Sequence, residues 1–138
     1  MKKKPIVAFL CIQNSCRSQL AEAFGRHLAN ETFTSCSAGT QPAAQINPAA
    51  QRLLKEYYQI DMEGEGQYSK GLDSLSSVDV AVTMGCGVQC PMLPGVRIIS
   101  WEIPDPAGNS DKTFLAVMEL IRKKILELQD QLKGVYMQ

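Results

Sequence analysis

Residues 6–24 read IVAFLCIQNSCRSQLAEAF, and this stretch decides the fold. Residues 6–10 form an unbroken apolar run, which is typical of a strand that is covered on both faces. A polar loop follows, from Cys11 to Arg17. The apolar residues beyond the loop recur at helical spacing and predict a helix over residues 18–29. A strand that leads through a short loop into a helix is the repeating unit of a parallel α/β sheet.

Three further segments have the composition of strands. They cover residues 33–36, 78–84 and 96–99, and the stretches 85–95 and 101–109, rich in glycine and proline, are predicted loops. Strands that alternate with helices imply one parallel sheet with helices on both faces. The chain shows no internal repeat, linker or low-complexity segment, so we expect a single domain over residues 1–138.

Two longer helices are predicted after the first. Asn47 caps the second and Pro48 takes its first position, and its apolar face consists of Leu53, Leu54, Tyr57 and Tyr58. Ser69 is a candidate cap for a short helix through residue 75. The last helix begins near Ser110 or Asp111, and its apolar stripe consists of Phe114, Val117, Met118, Ile121, Ile125, Leu128 and Leu132.

Composition excludes several classes of function. The net charge is zero, whereas a protein that binds nucleic acid needs a basic surface. No segment approaches the ~20 apolar residues that cross a bilayer. Lys2, Lys3 and Lys4 before an apolar run resemble the start of a signal peptide, but no small-residue cleavage site follows. We therefore expect a cytoplasmic protein that binds neither nucleic acid nor membrane.

The loop between the first strand and helix has the features of an anion site. Five residues separate Cys11 from Arg17, namely Ile12, Gln13, Asn14, Ser15 and Cys16, and a loop of this length can wrap around a tetrahedral oxyanion. Its backbone N–H groups and the helix N-terminus then point at the anion. Arg17 can grip two oxygens through its planar fork. The same field favours a thiolate at Cys11, to which Ser18 can donate a hydrogen bond.

Two other interpretations of this loop are less favoured. A cysteine buried in a tight turn has no chemical role, but the flanking strand, helix and Ser18 favour a functional loop. A Cys–His hydrolase is disfavoured, because the only histidine, His27, falls inside the first predicted helix. The loops that begin at Cys11, Gly85 and Trp101 are expected to meet at the carboxyl edge of the sheet.

The chain has five cysteines, an odd number that cannot all pair within one molecule. In a cytosolic protein such thiols are more often catalytic, redox-active or metal-binding than structural. Cys86 and Cys90 could form half of a zinc site, but a structural site needs four ligands and the chain offers few others, so no metal is expected. They could also be simple buried thiols. Cys16 is expected to shape the loop, and Cys36 to lie in the core.

The whole pattern resembles a known family. CIQNSCRSQLAEAF at residues 11–24 is similar to the catalytic loop and first helix of the low-molecular-weight tyrosine phosphatase superfamily, and NSCRSQ-AE within it resembles the arsenate reductase branch. SAG at residues 37–39, NP at 47–48, VTMGCG--CP at 82–91 and PDPAG at 104–108 match that branch in the same order. The resemblance implies a single three-layer domain with a four-stranded parallel sheet.

The resemblance also implies a reaction. Cys11 attacks arsenate and Asp105 protonates the departing oxygen, since an aspartate that faces an anion has its neutral form favoured. Cys86 then attacks Cys11, which releases arsenite, and Cys90 attacks Cys86. An external thiol reductant, thioredoxin or another protein or small thiol, resets the pair, and no cofactor is required. Some thioredoxin-coupled members space this pair more widely, which leaves the reductant open.

Alternatives remain open at this point. The Asp-Pro dipeptide at residues 105–106 is also common in ordinary turns. A phosphatase acting on phosphotyrosine or another small phosphoester needs Cys11 but not Cys86 and Cys90. Tyrosine phosphatases usually place aromatics after the Asp-Pro, whereas Ala107 follows here, which suits a small inorganic anion; phosphate and sulfate would compete with arsenate. A non-catalytic oxyanion binder or thiol redox sensor is the third alternative. Some relatives hold an ion near the positions of Asn14 and Ser37, and the sequence leaves that point undecided.

Overall fold

The computed structural model describes residues 4–85 and 95–136. Its sheet has four parallel strands in the order β2-β1-β3-β4. Their bounds are β1 Ile6–Cys11, β2 Thr34–Gly39, β3 Val80–Thr83 and β4 Arg97–Ser100. The predicted parallel sheet is confirmed. The strand predicted over residues 33–36 runs three residues further, because Cys11 and Gly39 still pair at the carboxyl ends of β1 and β2.

Three α-helices accompany the sheet: α1 Arg17–Leu28, α2 Pro48–Tyr58 and α3 Asp111–Tyr136. All three pack in one hydrophobic cluster with Val7 and Phe9 of β1. The opposite face of the sheet, marked by Ala8 and Leu10, packs against the chain around the 3₁₀ helix Leu72–Ser74. The alternation of β1 side chains between two buried faces explains why this strand has no polar residue.

The predicted helix faces are confirmed with one exception. The side chain of Asn47 accepts hydrogen bonds from the N–H groups of Ala49 and Ala50, as expected of a cap before Pro48. The exception is Tyr57, which is expected on the apolar face of α2 but is 55% exposed. The apolar stripe of α3 is buried along its whole length, at Phe114, Val117, Met118, Ile121, Ile125, Leu128 and Leu132.

Two further expectations need correction. Ser69 does not cap a helix, because the 3₁₀ helix begins at Leu72 after Gly71, and the Ser69 hydroxyl instead donates to the carbonyl of Gln13. Cys36 lies inside β2 and is half-buried; its thiol donates to the carbonyl of Val7. Within the described residues, no helix is both long enough and apolar enough to cross a membrane.

Candidate active site

The loop between β1 and α1 is held by the segment that follows β2. The carbonyls of Ile12, Gln13 and Ser15 accept backbone hydrogen bonds at 2.8 Å each, from residues 41, 43 and 47. These bonds tie the carbonyl dipoles of the loop to that segment. Because these carbonyl oxygens accept hydrogen bonds from the segment outside the loop, they do not point at its centre, and the centre of the loop suits an anion. Gly39 must lack a side chain, because a Cβ would overlap the carbonyl of Ile12 and the backbone of Asn14.

A chain of hydrogen bonds leads to the Cys11 sulfur. The Ser18 hydroxyl lies 2.7 Å from Cys11 Sγ, and the backbone N–H of Asn14 donates to the same sulfur at 3.2 Å. Asn14 Nδ2 donates to Ser18 Oγ at 2.8 Å. Asn14 adopts a left-handed backbone, with φ of 51°, which asparagine tolerates better than most residues. Cys11 and Ser18 are buried, so these bonds are shielded from water.

Arg17 begins α1 and its side chain is only 9% exposed. Nη1 donates to the carbonyl of Met84 at 2.7 Å and to that of Ile103 at 3.1 Å. These carbonyls lie just beyond β3 and β4, so the guanidinium is fixed to the carboxyl edge of the sheet. A guanidinium has five N–H donors, and the remaining ones are available to an anion.

Asp105 faces Arg17 across a small cavity. Its Oδ2 lies 3.9 Å from Arg17 Nη2, while its Oδ1 accepts the backbone N–H of Ala107 at 3.0 Å. The aspartate therefore holds the turn with one oxygen and faces the site with the other. The cavity has a volume of about 170 Å³ and is lined by Cys11, Ile12, Gln13, Ser15, Cys16, Arg17, Asp105 and Ala107. It is smaller than the ~300–1,000 Å³ typical of drug-sized ligands, and none of these residues is aromatic.

The thiols of the described residues differ in environment. Burial raises the pKa of Cys16 to about 12, and the negative charges of Asp105 and Cys11 add to the effect. Burial likewise raises the pKa of Cys36 to about 11. Both thiols therefore stay protonated at neutral pH and are poor nucleophiles. Cys86 and Cys90 lie in residues 86–94, outside the described residues.

Sequence reasoning missed the polar residues that support the loop from behind. Gln19 Nε2 donates to Asn14 Oδ1 at 2.9 Å, and Gln67 donates to Gln19 Oε1 at 2.8 Å. Lys70 contributes its backbone N–H to Asn14 Oδ1 and its ammonium to Ser37 and Glu22. Gln19, Glu22 and Ser37 fall within the family motifs, but nothing in the sequence singles out Gln67 or Lys70. No group of three or more His, Cys, Asp and Glu within residues 4–85 and 95–136 is placed to hold a metal ion.

Comparisons with known proteins agree with this geometry. Arsenate reductase 2 of Staphylococcus saprophyticus is 36% identical over 135 residues, which cover 94% of this chain and 99% of that protein. A thioredoxin-dependent arsenate reductase from Corynebacterium glutamicum has a TM-score of 0.78 and 32% identity; the match covers 94% of this chain but 62% of the other. An arsenate reductase in the phosphate-binding state has a TM-score of 0.81 at 29% identity, with 93% and 98% covered.

Residues 6–135 also match the family described as low molecular weight phosphotyrosine protein phosphatase. The match runs from the first residue of β1 almost to the end of α3. It therefore includes the sheet, the three α-helices and every described residue of the site. The chain belongs to the low molecular weight phosphotyrosine protein phosphatase family.

Proposed function

We propose that this chain reduces arsenate to arsenite, with Cys11 as the nucleophile and a disulfide relay through Cys86 and Cys90. The observation that carries the proposal is the anion-sized cavity in which Cys11, Arg17 and Asp105 meet. Ala107 lines it where a phosphatase for phenyl substrates would place an aromatic. Arsenate fits such a site, and phosphate or sulfate would compete for the same contacts. The relatives named arsenate reductase support this choice over a phosphatase.

The first step is attack on arsenic. The Cys11 thiolate forms a bond to arsenic(V) while one arsenate oxygen leaves as water, and Asp105 supplies a proton to it. Ser18 and the Asn14 N–H donate to the sulfur before the attack, and Arg17 holds the remaining oxygens of arsenate. Asp105 Oδ2 faces the cavity, 3.9 Å from Arg17 Nη2, so a proton on this oxygen can be passed to the departing oxygen of arsenate.

The second step carries the electrons. The Cys86 thiolate attacks Cys11 sulfur, the sulfur–arsenic bond breaks, and its electron pair reduces arsenic(V) to arsenic(III). Arsenite leaves and a Cys11–Cys86 disulfide remains. Gly85 packs against the Arg17 guanidinium, and Cys86 is the next residue in the sequence.

The relay ends with thiol–disulfide exchange. Cys90 attacks Cys86 and frees the Cys11 thiolate, which leaves a Cys86–Cys90 disulfide. An external dithiol donates two electrons to reduce this bond, and thioredoxin is the first candidate because one structural relative is thioredoxin-dependent. No bound cofactor is needed. A cytoplasmic location goes with this cycle, because thiols are kept reduced there.

One assay tests the proposal. Arsenate-dependent NADPH oxidation is measured with thioredoxin and thioredoxin reductase, beside hydrolysis of p-nitrophenyl phosphate. We expect Cys86→Ser to abolish arsenate turnover and to spare any hydrolysis, because water can still attack a phosphorylated Cys11. Cys36→Ser is the matched control, since Cys36 lies in β2 and its thiol donates a hydrogen bond to the carbonyl of Val7. This variant should turn over arsenate like the parent.

The Cys90→Ser variant separates the two exchange steps. One arsenite per enzyme should form, after which mass spectrometry should find a Cys11–Cys86 linkage. Arsenate turnover at the parental rate in both the Cys86→Ser and Cys90→Ser variants would refute the relay and favour the phosphatase. Oxyanion binding without either reaction would instead indicate a binder or a redox sensor.

A further inference from the structure

Lys70 lies behind the anion loop, in the segment between α2 and the 3₁₀ helix. Its ammonium is within 3.3 Å of Glu22 Oε1, 3.3 Å of Ser37 Oγ and 3.1 Å of the Tyr68 carbonyl. An ammonium group has three donors, and here each has one oxygen acceptor. The side chain is only 14% exposed, so these bonds are largely shielded from water. The lysine is therefore fixed in place rather than solvated.

The Glu22 carboxylate gives a reason for this placement. Glu22 is 3% exposed, and a buried carboxylate is costly unless it is paired and hydrogen-bonded. Arg26 approaches Oε2 at 2.8 Å, while the Ser37 hydroxyl donates to Oε1 at 2.6 Å. Lys70 supplies the second cation, on the side that faces β2. Removing its ammonium leaves Glu22 Oε1, Ser37 Oγ and the Tyr68 carbonyl around an empty space.

The backbone of Lys70 joins the same group to the nucleophile. Its carbonyl accepts the N–H of Gly39 at 2.9 Å, and its N–H donates to Asn14 Oδ1 at 2.9 Å. A backbone N–H can only donate, so it fixes which end of the Asn14 amide is the acceptor. The Asn14 NH₂ must then donate to Ser18 Oγ, which leaves the Ser18 proton for the Cys11 sulfur.

We propose that Lys70 is a positioning residue for the Cys11 nucleophile: its ammonium, held by Glu22 and Ser37, keeps its backbone N–H on Asn14 and so directs the Ser18 proton to the Cys11 sulfur. The proposal rests on the proposed function in taking Cys11 as the nucleophile. It applies equally to reduction and to hydrolysis. A test that measures thiol reactivity can therefore fail or succeed independently of arsenate turnover.

The test compares Lys70→Met with Lys55→Met. Both variants lose one positive charge, but Lys55 is 70% exposed on α2 and only approaches Asp61 at 4.0 Å. The rate of Cys11 alkylation by iodoacetamide is followed from pH 5 to 9 by mass spectrometry, with fragmentation to distinguish Cys11 from Cys16 in the peptide that they share. Cys16, Arg17 and Asp105, the other ionisable groups that line the cavity, are the same in both.

We expect Lys70→Met to slow alkylation at pH 6 about 10-fold, the smaller end of what loss of a hydrogen bond to a charged group causes, and to move the pH profile to higher pH. Lys55→Met should keep the parental profile. A purely structural role would lower the melting temperature and leave the profile in place, and that result would overturn the proposal.

Chemical rescue gives a second test. Lys70→Ala leaves room for a small cation among the three oxygen atoms, so methylammonium should restore part of the alkylation rate. Tetramethylammonium, which has no N–H donor, should not, and equal rescue by both ions would refute the positioning role. If neither Lys70 variant folds, Ser37→Ala takes their place, because it removes one acceptor and keeps every charge. A parental alkylation profile in Ser37→Ala would then count against the proposal.

Discussion

Replacing Arg17 with lysine keeps the positive charge and removes the fork, so it tests whether shape or charge holds the anion. In the structure the guanidinium has two tasks. Nη1 donates to the carbonyls of Met84 and Ile103, while the side chain also lines the anion cavity, where Nη2 lies 3.9 Å from Asp105 Oδ2. A lysine has a single nitrogen at the end of its chain and cannot serve both.

The expected loss of stability or of anion affinity in Arg17→Lys follows from those contacts. If the ammonium turns to the anion, the buried carbonyls of Met84 and Ile103 lose a charged donor, which costs about 1.5–3 kcal/mol of the free energy of unfolding. At about 4 °C per kcal/mol for a domain of this size, the melting temperature falls by about 6–12 °C. If it stays with the carbonyls, the anion loses at least one charge-assisted bond, and its affinity falls about 10- to 150-fold.

Calorimetric titration with phosphate and thermal unfolding of the same samples distinguish these outcomes. Arg52→Lys is the matched control, because Arg52 is exposed and its ion pair with Asp111 lies on the surface, so neither quantity should change beyond the error. If Arg17→Lys kept both the phosphate affinity within about 3-fold and the melting temperature within about 2 °C of the parent, neither the carbonyl contacts nor the anion contacts of Arg17 would have the strength expected of them.

Three further predictions follow from the site. Asp105→Asn should slow the single-turnover reaction with arsenate by about 10²–10⁴-fold and spare phosphate affinity, because the amide oxygen can still accept the Ala107 N–H but the proton donor is lost; equal rates would remove Asp105 from the chemistry. Gly85→Ala should weaken phosphate binding at least about 10-fold, since its Cβ overlaps the Arg17 guanidinium and displaces it. Gly66→Ala is the control, because Gly66 also has a positive φ but a Cβ there would contact nothing, and this variant should not weaken phosphate binding. Iodoacetamide at pH 8 should spare Cys16, whose pKa is raised to about 12; rapid modification of Cys16 itself, located by fragmentation of the peptide that it shares with Cys11, would contradict that burial.

The sequence predicted the parts of the molecule that depend on local pattern. The β1 strand, the anion loop and the start of α1 follow from one apolar run and the residues between Cys11 and Arg17. The stripe of α3 is buried as its helical period requires. These features are readable because each side chain's environment is set by neighbours a few residues away.

Features that depend on distant contacts could not be predicted. Lys70 and Asn14 are 56 residues apart, and no period or composition connects them. The carbonyls that accept from Arg17 belong to Met84 and Ile103, which lie 67 and 86 positions further along the chain. A backbone carbonyl has no signature in the sequence, because every residue has one. Tyr57 is exposed, whereas its neighbour Tyr58 donates to Glu119 of α3. Helix propensity alone does not show which of the two tyrosines faces α3.

The choice between reduction and hydrolysis depends on what reaches Cys11 after the first attack, and Gly85 connects that choice to anion binding. Its backbone packs against Arg17, with a φ of 139° that favours glycine, and the next residue is Cys86. Gly85 therefore leaves room for the Arg17 guanidinium and directly precedes Cys86 in the sequence. A substitution that fills this space is expected to weaken anion binding, because it displaces the guanidinium. An enzyme that relied on water for its second step would need the space beside Arg17 but would have no use for a cysteine that directly follows Gly85 in the sequence.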